Sequence, residues 1–70
     1  MQETIRNKVQ ELRKEGSMTQ EELAQKIGVT RQTVIAIEKG NYVPSVLLAL
    51  KIAATFKTPV EKLFTIAYEK

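Results

Sequence analysis

Arg31 and Gln32 stand side by side, directly after Thr30, in "GVTRQTVIAIEKG", the run from Gly28 to Gly40. A guanidinium offers five donors in a fixed fork, and a carboxamide combines an acceptor with two donors. Either group can hold a planar partner through two hydrogen bonds at once. Both residues are also good helix formers that serve on any solvated helix face. Their neighbours decide between the two readings.

Other chemistry is sparse. The chain has no histidine and no cysteine, and no aspartate occurs anywhere along it. The usual general bases, nucleophiles and metal ligands are therefore missing. The eight carboxylates are all glutamates at helix-surface spacing, where solvation alone explains them. No enzyme activity, no metal and no cofactor is expected, and no small-molecule pocket is legible.

Seventy residues, 43% hydrophobic and 27% charged, fit one globular domain over 1–70. A single core of this length supplies only about 3–5 kcal/mol, and small folds usually add a staple. Disulfides and zinc are excluded by composition, so oligomerisation is the staple left. The N-terminal stretch has no apolar signal region, and the longest apolar run, Val46 to Leu50, is far short of the roughly 20 residues of a membrane span. The expected location is the cytoplasm. A net charge of +3 permits an anionic partner without demanding one.

The positioning elements are punctuated by their caps. "TQEE" from Thr19 is a capping box, Thr30 and Ser45 open two further helices, and "TPVE" from Thr58 opens the last. Gly16, Gly28 and Gly40 fall at helix ends, where a left-handed residue is wanted. Five helices follow: from about Thr4–Asn7 to Glu15, Gln20–Ile27, Arg31–Lys39, Val46–Phe56, and Pro59 to about Phe64. The expected fold is an all-α, compact five-helix bundle. The tail "LFTIAYEK" alternates with period two and fits either a short C-terminal strand or a frayed extension of helix 5.

On helix 3, Val34, Ile37 and Thr33 share one side, while Arg31, Gln32, Ile35, Ala36 and Lys39 form a continuous stripe on the other. Three details raise that stripe above an ordinary polar face. Helix 2 ends in the tight turn "IGV". Ala24 stands where a second helix must approach closely. Arginine can fork onto guanine O6 and N7 and glutamine can bridge adenine N6 and N7 in the major groove, which suits a helix entering N-terminus first.

"TQEELAQKIGVTRQTVIAIEKG" resembles the helix-turn-helix of the XRE family, the Cro and phage C1 repressor type. "NYVPSVLLALKIAATFKTPVEKLF" extends the likeness through the fourth and fifth helices. The resemblance covers about sixty of the seventy residues and is greatest to small stand-alone repressors without an effector domain. It implies a lambda repressor-like domain with its helix-turn-helix over about 20–39, and double-stranded DNA as partner in a nucleoid-associated setting. It assigns Gln20 to a phosphate and to bracing the recognition helix, and Thr19 and Thr30 to the DNA backbone. Arg31 and Gln32 take the base-reading roles, with Thr33 beside them, and Lys39, Asn41 and Tyr42 grip the sugar-phosphate chain. Arg13 and Glu38 match a buried ion pair, whose plainer reading is two solvated charges. The chain departs from the pattern at Ala36, which cannot make the hydrogen bond of a long polar reader. Ile35 offers apolar contact of the kind that suits a thymine methyl.

Helix 4 is apolar nearly all round, with Leu48, Ile52 and Phe56 expected to close the core. Leu47 has no evident internal partner and by itself is an unremarked surface leucine. With Val60, Phe64, Ile66 and Tyr68 it makes an apolar surplus that fits a homodimer interface. The reading is a repressor that binds a pseudo-palindromic operator as a homodimer. Its alternative is the antitoxin of a toxin–antitoxin pair, with DNA binding for autoregulation and the apolar surface for the toxin.

Overall fold

The computed structural model describes residues 2–69, so Met1 and Lys70 of the expected 1–70 domain lie outside the described residues. The order is β1 (Gln2–Asn7), α1 (Val9–Glu15), α2 (Gln20–Ile27), α3 (Arg31–Glu38), α4 (Val46–Phe56), α5 (Val60–Leu63) and β2 (Phe64–Glu69). No helix among the described residues is long and apolar enough to cross a membrane.

The fold is not all-α. β1 and β2 pair antiparallel, with Ile5 opposite Ile66 and Glu3 opposite Tyr68. The tail is a strand, so α5 ends at Leu63 rather than about Phe64. The segment expected to begin helix 1 is that strand's partner. Asn7 makes the break: its Oδ1 accepts the Val9 N–H at 3.1 Å, and the Lys8 N–H donates to the Leu63 carbonyl at 3.0 Å. This side-chain turn diverts the chain from β1 into α1.

The core lies among the helices. Val9, Leu23, Ile27, Val34, Ile37, Ile52 and Leu63 are almost wholly buried. Leu12, Met18, Val29, Phe56, Val60 and Phe64 pack around them. This corrects the view of Val60 and Phe64 as surplus surface: α5 is one short turn laid on the core, and both side chains contribute to it.

Most local signals act as expected. Thr19, Thr30 and Ser45 each accept a backbone N–H from the third residue on. Thr58 does not cap α5. It stands in the turn that closes α4, where its N–H reaches the Ala53 carbonyl and its hydroxyl donates to the Phe56 carbonyl. Pro59 occupies the cap position instead. Gly28 (φ 74°) and Gly40 (φ 80°) are left-handed, but Gly16 is not (φ −85°). Ser17 takes the left-handed place there with φ 55°, as Lys57 does after α4 with φ 52°.

The α2 capping box carries a pH signature. Glu22 Oε1 accepts the Thr19 N–H at 2.9 Å while its own N–H donates to Thr19 Oγ1 at 3.0 Å. The Thr19 backbone N–H first, and the Thr19 side chain second, hold the Glu22 carboxyl below its ordinary value. A carboxyl depressed in the folded state stabilises fully above its unfolded value, and that contribution is lost as pH falls through the folded value. Glu22→Gln retains an oxygen for the Thr19 N–H but cannot titrate. Melting temperatures followed from neutral pH to about pH 2 should therefore fall less steeply for the variant in the acid limb. Parallel curves would show that Glu22 adds nothing to the acid dependence.

Candidate nucleic-acid interface

α3 is presented by what closes behind it. Gly28 ends α2 in the left-handed conformation, with its N–H and that of Val29 both directed at the Ala24 carbonyl. A β-carbon at Gly28 would meet no atom, so the backbone angle alone demands glycine. Val29 and Thr30 complete the turn, and Ala24, buried to 3% exposure, lets α3 approach α2. Val34 and Ile37 then anchor α3 in the core.

The far end of α3 is clamped by charge. Glu38 sits at the helix C-terminus, where a carboxylate opposes the helix dipole. Its side chain is 2% exposed. Arg13 offsets that burial: Nε donates to Glu38 Oε2 at 2.7 Å and Nη2 to Oε1 at 3.2 Å. Arg13 Nη1 donates to the Met18 carbonyl at 2.8 Å, and Gln20 Nε2 donates to Glu38 Oε1 at 3.1 Å. No buried side-chain polar atom among the described residues lacks a partner. The group joins α1, the start of α2 and the end of α3.

Asn7 adds a link that sequence reasoning missed. Its Nδ2 donates to the Ile37 carbonyl at 2.9 Å, tying the strand pair to the end of α3. The signal was an asparagine just before a helix, a common turn residue, but its partner lies thirty residues away.

On the outward side Arg31, Gln32 and Lys39 are exposed, and Thr33, Ile35 and Ala36 are half-buried. One open hollow brings Arg31 together with Thr19, Gln20 and Arg13. A second brings Gln32, Thr30, Thr33 and Ala36 together with Tyr42. Lys39 lies beyond both, facing β1 across a hollow it shares with Arg6. Asn41 is exposed in the loop after α3, its N–H bonded to the Ala36 carbonyl at 2.9 Å. Thr30 spends its hydroxyl oxygen on the Thr33 N–H and lies 3.1 Å from the Thr33 hydroxyl. Among the described residues no cluster of carboxylates could hold a metal ion.

Of the expected interface residues, Leu47, Ile66 and Tyr68 are well exposed at 66%, 59% and 60%. They belong to different elements: Leu47 lies on α4 beside the α2–α3 turn, and Ile66 and Tyr68 lie on one face of β2. Val60 and Phe64 are half-buried against the core.

Two short helices joined through a left-handed glycine, the second anchored behind and polar in front, define a helix-turn-helix. Residues 9–63 match the family model described as "Helix-turn-helix". The chain belongs to the XRE-type helix-turn-helix family of transcriptional regulators. It is 54% identical over 65 residues to the uncharacterized HTH-type transcriptional regulator YgzD of Bacillus subtilis, covering 93% of this chain and 98% of that one. It is 37% identical over 57 residues to the cryptic phage CTXphi transcriptional repressor RstR of Vibrio cholerae, spanning 81% of this chain and 51% of the repressor. The crystal structure of the restriction-modification controller protein C.AhdI of Aeromonas hydrophila superposes with a TM-score of 0.73. That match has 29% identity and covers 79% of this chain and 83% of that one.

Proposed function

We propose that this protein is a sequence-specific double-stranded DNA-binding repressor that lays α3 in the major groove and acts as a homodimer on a pseudo-palindromic operator. One observation carries the reading. The first turn of α3 presents exposed Arg31 and Gln32 on a helix fixed at both ends, by the Gly28 turn and by the Arg13–Glu38–Gln20 group. Rigid presentation of these two side chains is what bidentate recognition of base edges requires.

The remaining residues take backbone roles. Thr19 and Gln20 sit at the start of α2 beside Arg31, where a phosphate would meet the Thr19 hydroxyl and the second amide proton of Gln20. Thr30 and Thr33 flank the base readers, and Ile35 lies along the stripe. Lys39, Asn41 and Tyr42 follow α3 and meet the sugar-phosphate chain. Repression is steric: an occupied promoter excludes polymerase. The name of the Vibrio cholerae relative, a repressor, supports that direction.

Selection of bound duplexes from a random pool at two salt concentrations tests the reading. An enriched, two-fold symmetric site is expected, with affinity falling steeply in salt. A pool that enriches no sequence would overturn it. On the selected site Arg31→Ala should cost about 1–3 kcal/mol and relax preference at one base pair per half-site. Lys39→Ala should weaken all sequences alike and make the salt slope shallower by about one unit. Unchanged preference in Arg31→Ala would remove that residue from base reading.

A further inference from the structure

Positive charge gathers in a place that the helix-turn-helix leaves aside. Arg6 on β1 lines two open hollows. The first, of about 400 Å³, separates β1 from the end of α3 and carries Lys39. The second, of about 290 Å³, lies at the root of the strand pair, with Lys8, Lys62 and Glu11 around it. All five of these charged residues are exposed. The only ion pair among the described residues is Arg13–Glu38, so no carboxylate pairs with any of the four cations. Four cations against the one unpaired carboxylate, Glu11, leave a surplus of three, equal to the net charge of the whole chain. A scattered lysine is an ordinary solvated group; a surplus collected on one side is a local field.

Because Arg6 belongs to both hollows, the cations form a track and not two separate pockets. It begins at Lys39, where α3 gives way to its loop, and ends at Lys62 on α5. The backbone beneath it is fixed: Asn7 Nδ2 donates to the Ile37 carbonyl at 2.9 Å, and the Lys8 N–H to the Leu63 carbonyl at 3.0 Å. A line of cations on fixed backbone suits a polyanion with regularly spaced charges, which gives up condensed counterions as each phosphate is neutralised. We infer that this track receives the phosphates flanking the half-site, so that β1 and α5 hold DNA beyond the base pairs that α3 reads. The inference rests on the reading of α3 as the base-reading helix, since Lys39 joins the track to that face. An acidic protein surface is the competing occupant.

Duplex length supplies the test. The selected operator, trimmed to its enriched base pairs, is compared with the same site lengthened by about one helical turn of arbitrary sequence at each end. Lengthening should tighten binding by the unsubstituted protein and steepen its salt slope, by about 0.9 for each phosphate engaged. The triple variant Arg6→Ala/Lys8→Ala/Lys62→Ala, its fold checked by melting and its assembly by sedimentation, should gain nothing from the added length. Its slope on the long duplex should be shallower by about two to three units, with site preference unchanged. Glu11→Gln removes the opposing charge and should strengthen binding to the long duplex alone. If lengthening adds nothing to the unsubstituted protein, or if the triple variant keeps the gain, the track does not hold DNA, and base reading by Arg31 stands. Unselected duplex separates the two readings: even where no sequence is enriched and the reading of α3 fails, equal salt slopes for the unsubstituted and triple-variant proteins on it would overturn the track by themselves.

Discussion

Glu38→Gln should lower the unfolding free energy by about 3–5 kcal/mol, the cost of leaving one partner of a buried ion pair without the other. A core of this length supplies about as much in total, so the variant should be largely unfolded at room temperature. The cause is local. Arg13 would keep its burial and its Met18 bond but lose the carboxylate that receives Nε and Nη2. The carboxamide keeps one oxygen for Gln20 and Arg13 Nη2 but turns an N–H donor toward Arg13 Nε, where the carboxylate had accepted. Arg13→Met should cost a similar amount from the other side. Arg13→Met with Glu38→Leu should recover most of the loss, since well-packed carbon can replace a buried pair without penalty. Denaturant unfolding of the unsubstituted protein, Arg13→Met, Glu38→Leu and the double variant closes the cycle. If Glu38→Gln unfolds at the same midpoint as the unsubstituted protein, the pair does not hold α3.

The recovered double variant also separates stability from function. If the pair only fixes α3, a folded Arg13→Met/Glu38→Leu protein retains its site preference. Gln20 would then have no carboxylate to hold its amide, so the loss should fall on affinity for all sequences rather than on preference.

How much of this was legible depended on the range of the interactions. Caps are local: Thr19, Thr30 and Ser45 each bond a backbone N–H three residues on, and sequence spacing alone places them. The outward stripe of α3 follows from helical period, and its composition pointed to base edges. β1 was not legible, because its six residues are held by a partner some sixty positions away. Thr4 to Asn7 carry no pattern that separates the start of a helix from a strand. Ser17 and Lys57 carry no signal in the sequence for another reason. Left-handed ends are signalled by glycine, and here the turn geometry holds ordinary residues in that region. Val60 and Phe64 read as surface from sequence because a one-turn helix and the first residue of the strand after it carry no periodicity that reveals burial.

The second large expected effect concerns the proposed dimer, whose candidate surface is limited by which apolar side chains are exposed. With Val60 and Phe64 engaged in the core, the apolar surplus reduces to two sets: Val46, Leu47 and Leu50 on α4 with Tyr42 and Val43 in the loop before it, and Ile66 with Tyr68 on β2. The strand pair is two strands only, and an isolated ribbon is marginal in water unless something packs on it. Burying a leucine side chain contributes about 1.5–3 kcal/mol, so a second copy covering these sets would stabilise each chain. It would also fix two α3 helices about 34–36 Å apart, one turn of the duplex. Leu47→Glu with Ile66→Glu should yield a monomer. Because both side chains are exposed in one chain, the substitutions should cost a lone protomer little; a lower melting temperature at matched concentration then reports the lost partner. Binding to a full operator should drop by about 10²–10⁴-fold, to the level of a half-site, since the second contact is no longer intramolecular. The single variants assign the interface to α4 or to the ribbon by which one alone dissociates. Sedimentation of the unsubstituted protein decides the matter: a monomer at tens of micromolar would overturn the dimer and leave the exposed apolar sets to a different protein, as the antitoxin reading requires.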